Sequence, residues 1–366
     1  MTSRFHYLYL SIFFLALVLV SFIILPPHLW SDSYSYLNSI NVLKTGETPA
    51  GFIPNRILTT YLSLKTIIFF SYIFGNVLRA WLFMNIVFYV IANLFFYKLL
   101  EEFFESRKVA FGSAILLAAN YAMITFGPTY LMDMGGWMFY FITIFLVFRF
   151  LKTEKIKYLL WGSLAISVGG LFKEYGYLGF ITILIALIIT YKSNVKKLIK
   201  YSLLFGGFAI LPTVLVHISM YINYNYSYLD WFSFTKSLFA GSPTKLLSYI
   251  KVFGSLFTFG WFLFLGGIYS LIKKSGTKFN SQQITFLIAL FLSITPIFLW
   301  PGITQRIFFV SVPLLILISS VFLKKYESRI YYFAPLFIIY ILANFTMDKY
   351  ILPLINIDYF IQVFFK

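Results

Sequence analysis

The fold is decided by residues 7–25, which read YLYLSIFFLALVLVSFIIL. This uninterrupted apolar run follows Arg4, stops at Pro26-Pro27, and has close to the about 20 residues that a bilayer-spanning helix needs. It is too long for the hydrophobic region of a signal peptide, and no small-residue cleavage site precedes the polar segment after it. We therefore expect a retained first membrane span.

Similar apolar runs recur along the 366 residues, of which 60% are hydrophobic and only 11% are charged. Soluble domains carry about 25% charged residues, so this composition excludes a soluble globular protein. The sequence predicts an all-α, multi-pass transmembrane helix bundle of about 11 spans. After the first run, the predicted spans cover residues 77–99, 109–126, 136–150, 158–172, 175–191, 200–221, 250–272, 284–300, 305–323 and 330–346.

The first outer loop is predicted at residues 26–76 and contains an apolar run, 58–74, that Lys65 interrupts. We interpret this run as a helix lying along the membrane, because the basic clusters of the later loops then all fall on one side. The predicted membrane domain is 1–346, with a second outer loop at 222–249 and a short outer tail at 347–366. The N-terminus is predicted to be cytoplasmic.

The net charge of +17 has an ordinary explanation in the positive-inside rule, since cytoplasmic loops collect Lys and Arg. We therefore expect no nucleic-acid partner. The absence of cysteine excludes disulfides, a thiolate nucleophile and a cysteine metal site. Because His6, His28 and His217 are scattered, no histidine metal cluster is predicted either. No cofactor is expected, and a divalent metal has no supporting motif.

Five charged residues fall at the predicted outer rim, where little else is charged: Asp32, Asp133, Lys173, Glu174 and Arg306. Charges near the bilayer are costly unless they are paired or functional. Each has a plain alternative explanation, as a helix cap for the two aspartates, a local pair for Lys173-Glu174 and a snorkelling side chain for Arg306. Together they predict a site for a lipid-linked phosphate, with Lys and Arg on the phosphate and a carboxylate as general base.

Short motifs follow one another in order along the chain. They are Asp32-Ser-Tyr-Ser-Tyr-Leu37 with Leu43-Lys-Thr-Gly46, Pro54-Asn-Arg56 with Ile73-Phe-Gly75, Asp133, Phe172-Lys-Glu174, and Gln305-Arg306 with Pro313. This order resembles the polytopic GT-C class glycosyltransferases that use polyprenyl-phosphate-linked sugars, such as protein mannosyltransferases and aminoarabinose transferases. The chain departs from the class pattern in lacking an Asp-x-Asp or Glu-x-Asp pair, which argues against a metal-dependent mechanism, and in having Gln305 where an acid is often found.

The resemblance implies an inverting sugar transfer from a polyprenyl phosphate to a glycan, lipid or protein acceptor on the outer face of the cell membrane. Its implied roles are Asp32 as general base with Asp133 as a second catalytic carboxylate, Lys173, Arg306 and Arg56 on the donor phosphate, and Glu174, Tyr34 and His28 orienting substrate. The membrane lipid is the remaining expected partner.

Two other classes of multi-pass protein stay open. A transporter or flippase would place charges mid-span and show two repeated halves, and neither feature is evident. A polysaccharide polymerase or O-antigen ligase usually has its large outer loop late in the chain. The early loop favours the glycosyltransferase, but the loop 222–249, rich in Tyr, Asn and Ser, keeps the second alternative open.

Overall fold

The computed structural model describes residues 3–238, 245–273 and 278–347, and within these ranges the chain is helical with no strand. The predicted all-α class is confirmed. The predicted outer tail lies, apart from Met347, outside the described residues, as does Lys274, one of the basic residues of a loop predicted to be cytoplasmic.

The described ranges contain seventeen α-helices. The first nine are α1 (Ser3–Ile24), α2 (Ser31–Thr45), α3 (Asn55–Phe74), α4 (Val77–Phe104), α5 (Arg107–Ala118), α6 (Tyr121–Phe126), α7 (Asp133–Thr153), α8 (Lys157–Phe172) and α9 (Leu178–Tyr191). The others are α10 (Val195–Tyr224), α11 (Tyr228–Leu238), α12 (Lys245–Phe257), α13 (Gly260–Ile272), α14 (Ser281–Ser293), α15 (Gln305–Phe308), α16 (Val312–Lys325) and α17 (Ala334–Phe345). Short 3₁₀ segments connect several of them: Glu174–Tyr177, Thr295–Leu299, Phe309–Ser311 and Glu327–Phe333.

Nine helical stretches of the described chain are long and apolar enough to cross a bilayer, judged by length and composition. The number is ten if Ser248–Phe257 and Gly260–Ile272, which meet at 91°, form one broken span. This is close to the predicted number of about 11. The helix α8 is apolar but shorter than the other candidates.

The predicted single span at 109–126 is wrong, because the helix breaks between α5 and α6. Asn120 lies at the break, where its Oδ1 accepts a hydrogen bond from the Ala122 N–H at 3.0 Å and caps α6. Its Nδ2 donates to the Leu256 carbonyl at 2.6 Å. A buried Asn with both ends bonded ends one helix and starts the next, which an apolar run around it does not reveal.

The run 58–74, predicted to lie along the membrane, belongs to α3, which also has the length and composition of a candidate span. Its backbone leaves helical geometry at Thr60 (φ −143°, ψ 32°), and Gly75 ends it in the left-handed region at φ 64°. Lys65 is on the exposed face, with its ammonium 5.9 Å from the centre of the Tyr61 ring. The interfacial placement of 58–74 stays a prediction.

Loops that were predicted to be cytoplasmic meet at one end of the bundle. Their ion pairs are Arg107–Glu101 at 2.8 Å, Arg149–Glu102 at 2.9 Å and Lys324–Glu327 at 2.6 Å. The start of α1 lies at the same end, because the Tyr7 hydroxyl donates to Glu101 at 3.0 Å. The helix α7 runs from Asp133 to this end over 21 residues, about 32 Å at 1.5 Å per residue. Asp133 is therefore at the opposite end of the bundle.

Candidate active site

Six charged residues from five separate segments meet around one cavity of about 430 Å³ at the end of the bundle that holds Asp133. All of them lie at helix ends: Asp32, Arg56 and Arg306 are the second residues of α2, α3 and α15, Asp133 begins α7, and Lys173-Glu174 follow α8. The cavity is lined by Asp32, Arg56, Lys173, Glu174 and Arg306, whereas Asp133 lies behind Arg306 and is fully buried. The structure thus brings together all five outer-rim residues and Arg56, which the resemblance had also assigned to the donor phosphate.

Both carboxylate oxygens of Asp32 are occupied by arginines. Oδ1 is 2.6 Å from Arg56 Nη2, and Oδ2 is 2.9 Å from Arg306 Nη1. Partial burial opposes ionisation, but the charges of Arg56 and then Arg306 outweigh it and hold the pKa of Asp32 below its ordinary value. The capping position of α2 belongs to Trp30, so Asp32 is free of that role and is a charged acceptor at the cavity.

Arg306 bridges the two aspartates. Its Nη2 is 3.0 Å from Oδ2 of Asp133, which has no exposed surface and makes no cap for α7. The side chain of Arg306 is 22% exposed and points at these carboxylates inside the bundle, so it does not snorkel. A buried charge needs such a partner, since an unpaired carboxylate in the interior is strongly destabilising.

Lys173 follows the last residue of α8 and is almost fully buried. Its Nζ is 3.3 Å from Oε2 of Glu174, so the local pair considered from the sequence exists, and both residues also face the cavity. Burial lowers the pKa of Lys173, but the neighbouring Glu174 carboxylate dominates and raises it above the ordinary value. The lysine is therefore charged at the site.

Two glycines allow the Lys173-Glu174 turn to press against its neighbours. A Cβ on Gly136 of α7 would lie 2.7 Å from the Lys173 Cβ, and one on Gly176 would lie 2.4 Å from the Gly169 carbonyl carbon. Such separations are shorter than any stable carbon contact, so only glycine fits at either place. These close approaches hold the lysine at the cavity wall.

The guanidinium of Arg56 lies within cation–π distance of two aromatic rings. Its Cζ is 4.8 Å from the centre of the Tyr36 ring and 5.5 Å from that of Trp231. Arg56 is 9% exposed, and its buried Nε has no hydrogen-bond partner. The rings fix the plane of the guanidinium, and a buried donor remains for an oxygen ligand.

The sequence interpretation missed the aromatic wall of the cavity. This wall comprises Tyr175, Tyr177, Tyr228, Trp231 and Trp300. Trp231 belongs to the predicted loop 222–249, and its Nε1 donates to Oε1 of Glu174 at 3.4 Å. The Tyr-rich composition of that loop was the available signal, but aromatic residues make up 22% of the whole chain and do not single it out.

His28 and Tyr34, predicted to orient substrate, do not line this cavity. The His28 ring is 4.3 Å from Trp30 and borders a separate cleft of about 110 Å³, and Tyr34 is 58% exposed. Among the described residues, no three His, Cys, Asp or Glu side chains are grouped to hold a metal ion.

Residues 63–217, less than half of the chain, match the family model described as dolichyl-phosphate-mannose-protein mannosyltransferase. The matched segment includes Asp133, Lys173 and Glu174. No curated protein sequence matches the chain significantly. The family match confirms the resemblance predicted from the motifs, and it supports a multi-pass membrane glycosyltransferase of the GT-C type.

Proposed function

With this family match as the premise, we propose that the chain transfers one sugar from a polyprenyl-phosphate donor to an acceptor hydroxyl on the non-cytoplasmic side of the cell membrane, with inversion. The acceptor is a glycan, a lipid or a protein. One observation carries the proposal: Asp32, an ionised carboxylate, faces the same cavity as Arg56, Arg306 and Lys173. That cavity thus offers a base for a hydroxyl and cations for a phosphate.

In the proposed reaction, the acceptor oxygen attacks the anomeric carbon on the face opposite the phosphate. Asp32 takes the hydroxyl proton as the new carbon–oxygen bond forms. The bond from the anomeric carbon to the phosphate oxygen breaks, and its electron pair leaves with the polyprenyl phosphate, which gains one negative charge. Attack from the opposite face inverts the configuration of the anomeric carbon.

Lys173 and Arg306 would stabilise the charge that develops on the leaving phosphate, and Arg56 would bind the phosphate of the donor. Cations fixed in a partly dry cavity interact strongly with phosphate oxygens and need little reorganisation during the reaction. Asp133 would hold Arg306 in place from behind, and Glu174 would hold Lys173. This arrangement leaves proton transfer to Asp32 alone.

Donor binding would also release the base. In the structure both oxygens of Asp32 are paired with arginines. A phosphate that attracts one of these arginines frees a carboxylate oxygen for the acceptor hydroxyl, and it raises the proton affinity of Asp32 by weakening its cationic surroundings. The donor should therefore bind before the acceptor is activated.

Two features support the proposed sidedness. The site lies at the opposite end of the bundle from the paired loops around Arg107, Arg149 and Lys324. Loops rich in Lys and Arg remain in the cytoplasm, so the cavity would open on the outer face, with the N-terminus inside. The lipid tail of the donor would then stay in the outer half of the bilayer.

The test uses the purified full chain in lipid vesicles with labelled polyprenyl-phosphate hexose donors, and it measures release of polyprenyl phosphate and labelled product with membrane acceptors. Asp32→Asn should abolish transfer while donor binding persists. Glu47→Gln, at an exposed carboxylate of the same outer loop, should behave as wild type. Transfer by Asp32→Asn at the wild-type rate would refute Asp32 as the base.

A further inference from the structure

One side chain of α11, Trp231, contacts both a cation and a carboxylate of the cavity. Trp231 is 7% exposed, with its indole 5.5 Å from the Arg56 guanidinium and its Nε1 3.4 Å from Oε1 of Glu174. Arg56 belongs to α3 and Glu174 to the turn after α8. Trp231 therefore connects two parts of the site that are not neighbours in sequence.

The face of α11 that carries Trp231 is turned to the cavity. Tyr228, Trp231 and Thr235 are spaced three and four residues apart, and all three line it. Leu229, on another face, is 75% exposed. Trp231 is thus the middle one of the three α11 residues that form this wall of the site.

Each contact of Trp231 has a separate consequence. Its ring and the Tyr36 ring hold the plane of the Arg56 guanidinium, whose Nε stays without a hydrogen-bond partner. Its N–H occupies one oxygen of Glu174, and the other oxygen is the one that pairs with Lys173 at 3.3 Å. The ring therefore affects the orientation of Arg56, and the N–H affects the position of Lys173 through Glu174.

We propose that Trp231 is a positioning residue of the donor-phosphate site, which orients Arg56 through its ring and Lys173 through Glu174. This inference rests on the proposed function, because both cations are assigned there to the donor phosphate. The two contacts are separable: Arg56 would act on donor binding, whereas Lys173 would act mainly on the leaving phosphate as its charge grows.

The experiment compares Trp231→Phe and Trp231→Leu in steady-state transfer from a polyprenyl-phosphate hexose. Phenylalanine keeps a ring over Arg56 but lacks the N–H donor, so kcat should fall about three- to tenfold with little change in donor KM. Leucine removes both contacts, so the donor KM should in addition rise about tenfold. Trp161→Phe is the matched control, since Trp161 is 58% exposed on α8 and away from the cavity.

A double variant separates positioning from a general packing role. If the indole N–H acts through Glu174, Trp231→Phe should cost nothing further in a Glu174→Gln background, whereas independent packing effects would multiply. Multiplying effects, a wild-type donor KM in Trp231→Leu, or a Trp231→Phe indistinguishable from Trp161→Phe would overturn the positioning role. If the unmodified protein neither binds nor consumes polyprenyl-phosphate hexoses, the proposed function falls, and this inference falls with it.

Discussion

Because Asp133 is paired with Arg306, we expect substitution of Asp133 to restore part of the stability that is lost when Arg306 is substituted. The variants are Arg306→Gln, Asp133→Asn and the double variant. Arg306→Gln leaves Asp133 with no exposed surface and without the guanidinium that lies 3.0 Å away. Asp133→Asn leaves Arg306 with its other partner, Asp32, at 2.9 Å.

The expected losses in the free energy of unfolding follow from the burial and pairing of these two side chains. Breaking a buried ion pair from one side costs about 3–5 kcal/mol, because the remaining charge stays buried without a partner. We expect a loss in this range for Arg306→Gln. Asp133→Asn replaces a charged acceptor by a neutral one, and Arg306 remains paired, so the expected loss is about 1–3 kcal/mol. The double variant has a neutral buried pair and should be about 2 kcal/mol more stable than Arg306→Gln alone.

The assay is equilibrium unfolding of the purified chain in mixed micelles, followed by circular dichroism, so that the result does not depend on activity. Asp230→Asn serves as a control, because its exposed carboxylate accepts hydrogen bonds from Ser227 in its own turn and has no ion pair among the described residues. A double variant whose losses are the sum of the two single ones would refute the buried pair. So would an Arg306→Gln variant as stable as the control.

Three further outcomes are expected from the site. Gly136→Ala should abolish most transfer without affecting membrane insertion, because its Cβ would lie 2.7 Å from that of Lys173. Gly207→Ala should have no effect, since beyond its own helical turn no described residue has an atom within 4 Å of the new Cβ. Equal activities of the two variants in a transfer assay would contradict this. Burial opposes ionisation of Asp32, but the charges of Arg56 and Arg306 outweigh it and hold the pKa of Asp32 below its ordinary value, so kcat/KM should not fall between neutral pH and the ordinary titration range of an aspartate. A loss of kcat/KM near pH 6.5 would instead indicate a histidine. Each of the three carboxylates at the site is paired with Arg or Lys and is therefore not available to bind a divalent metal ion. Transfer measured with a metal chelator should equal transfer measured without it.

The sequence predicted the helical class and the five outer-rim charges because charged residues are scarce in this chain. A carboxylate beside a long apolar run is easy to recognise when only 11% of the residues are charged. The local pair of Lys173 with Glu174 was predictable, but the pairing of distant charges was not, since Asp32 and Arg306 are 274 positions apart and no local pattern joins them. Their catalytic roles stay predictions.

Aromatic and amide residues, unlike the scarce charged residues, gave no signal in the sequence that singled out the important positions. Trp231 and Tyr36 hold Arg56 at the cavity, but they belong to a composition in which aromatic residues also serve lipid contact and helix packing. Asn120 breaks a helix inside an apolar run that otherwise reads as one span. A residue type that has several common uses gives no position-specific signal until its neighbours are known.

The positions of the charges also bear on the rival functions. A transporter path requires charged or polar groups near the bilayer midplane, often at interrupted helices. Here all six site charges lie at helix ends on one side of the described bundle, which suits a headgroup reaction at the membrane surface. For the polymerase alternative, the relevant observation is that Trp231 from the late loop and Asp32 from the early loop line the same cavity. Loop order along the chain therefore does not separate the two enzymes. What separates them is the acceptor, because a polymerase must take its own product as the next acceptor, whereas an enzyme that transfers a single sugar does not.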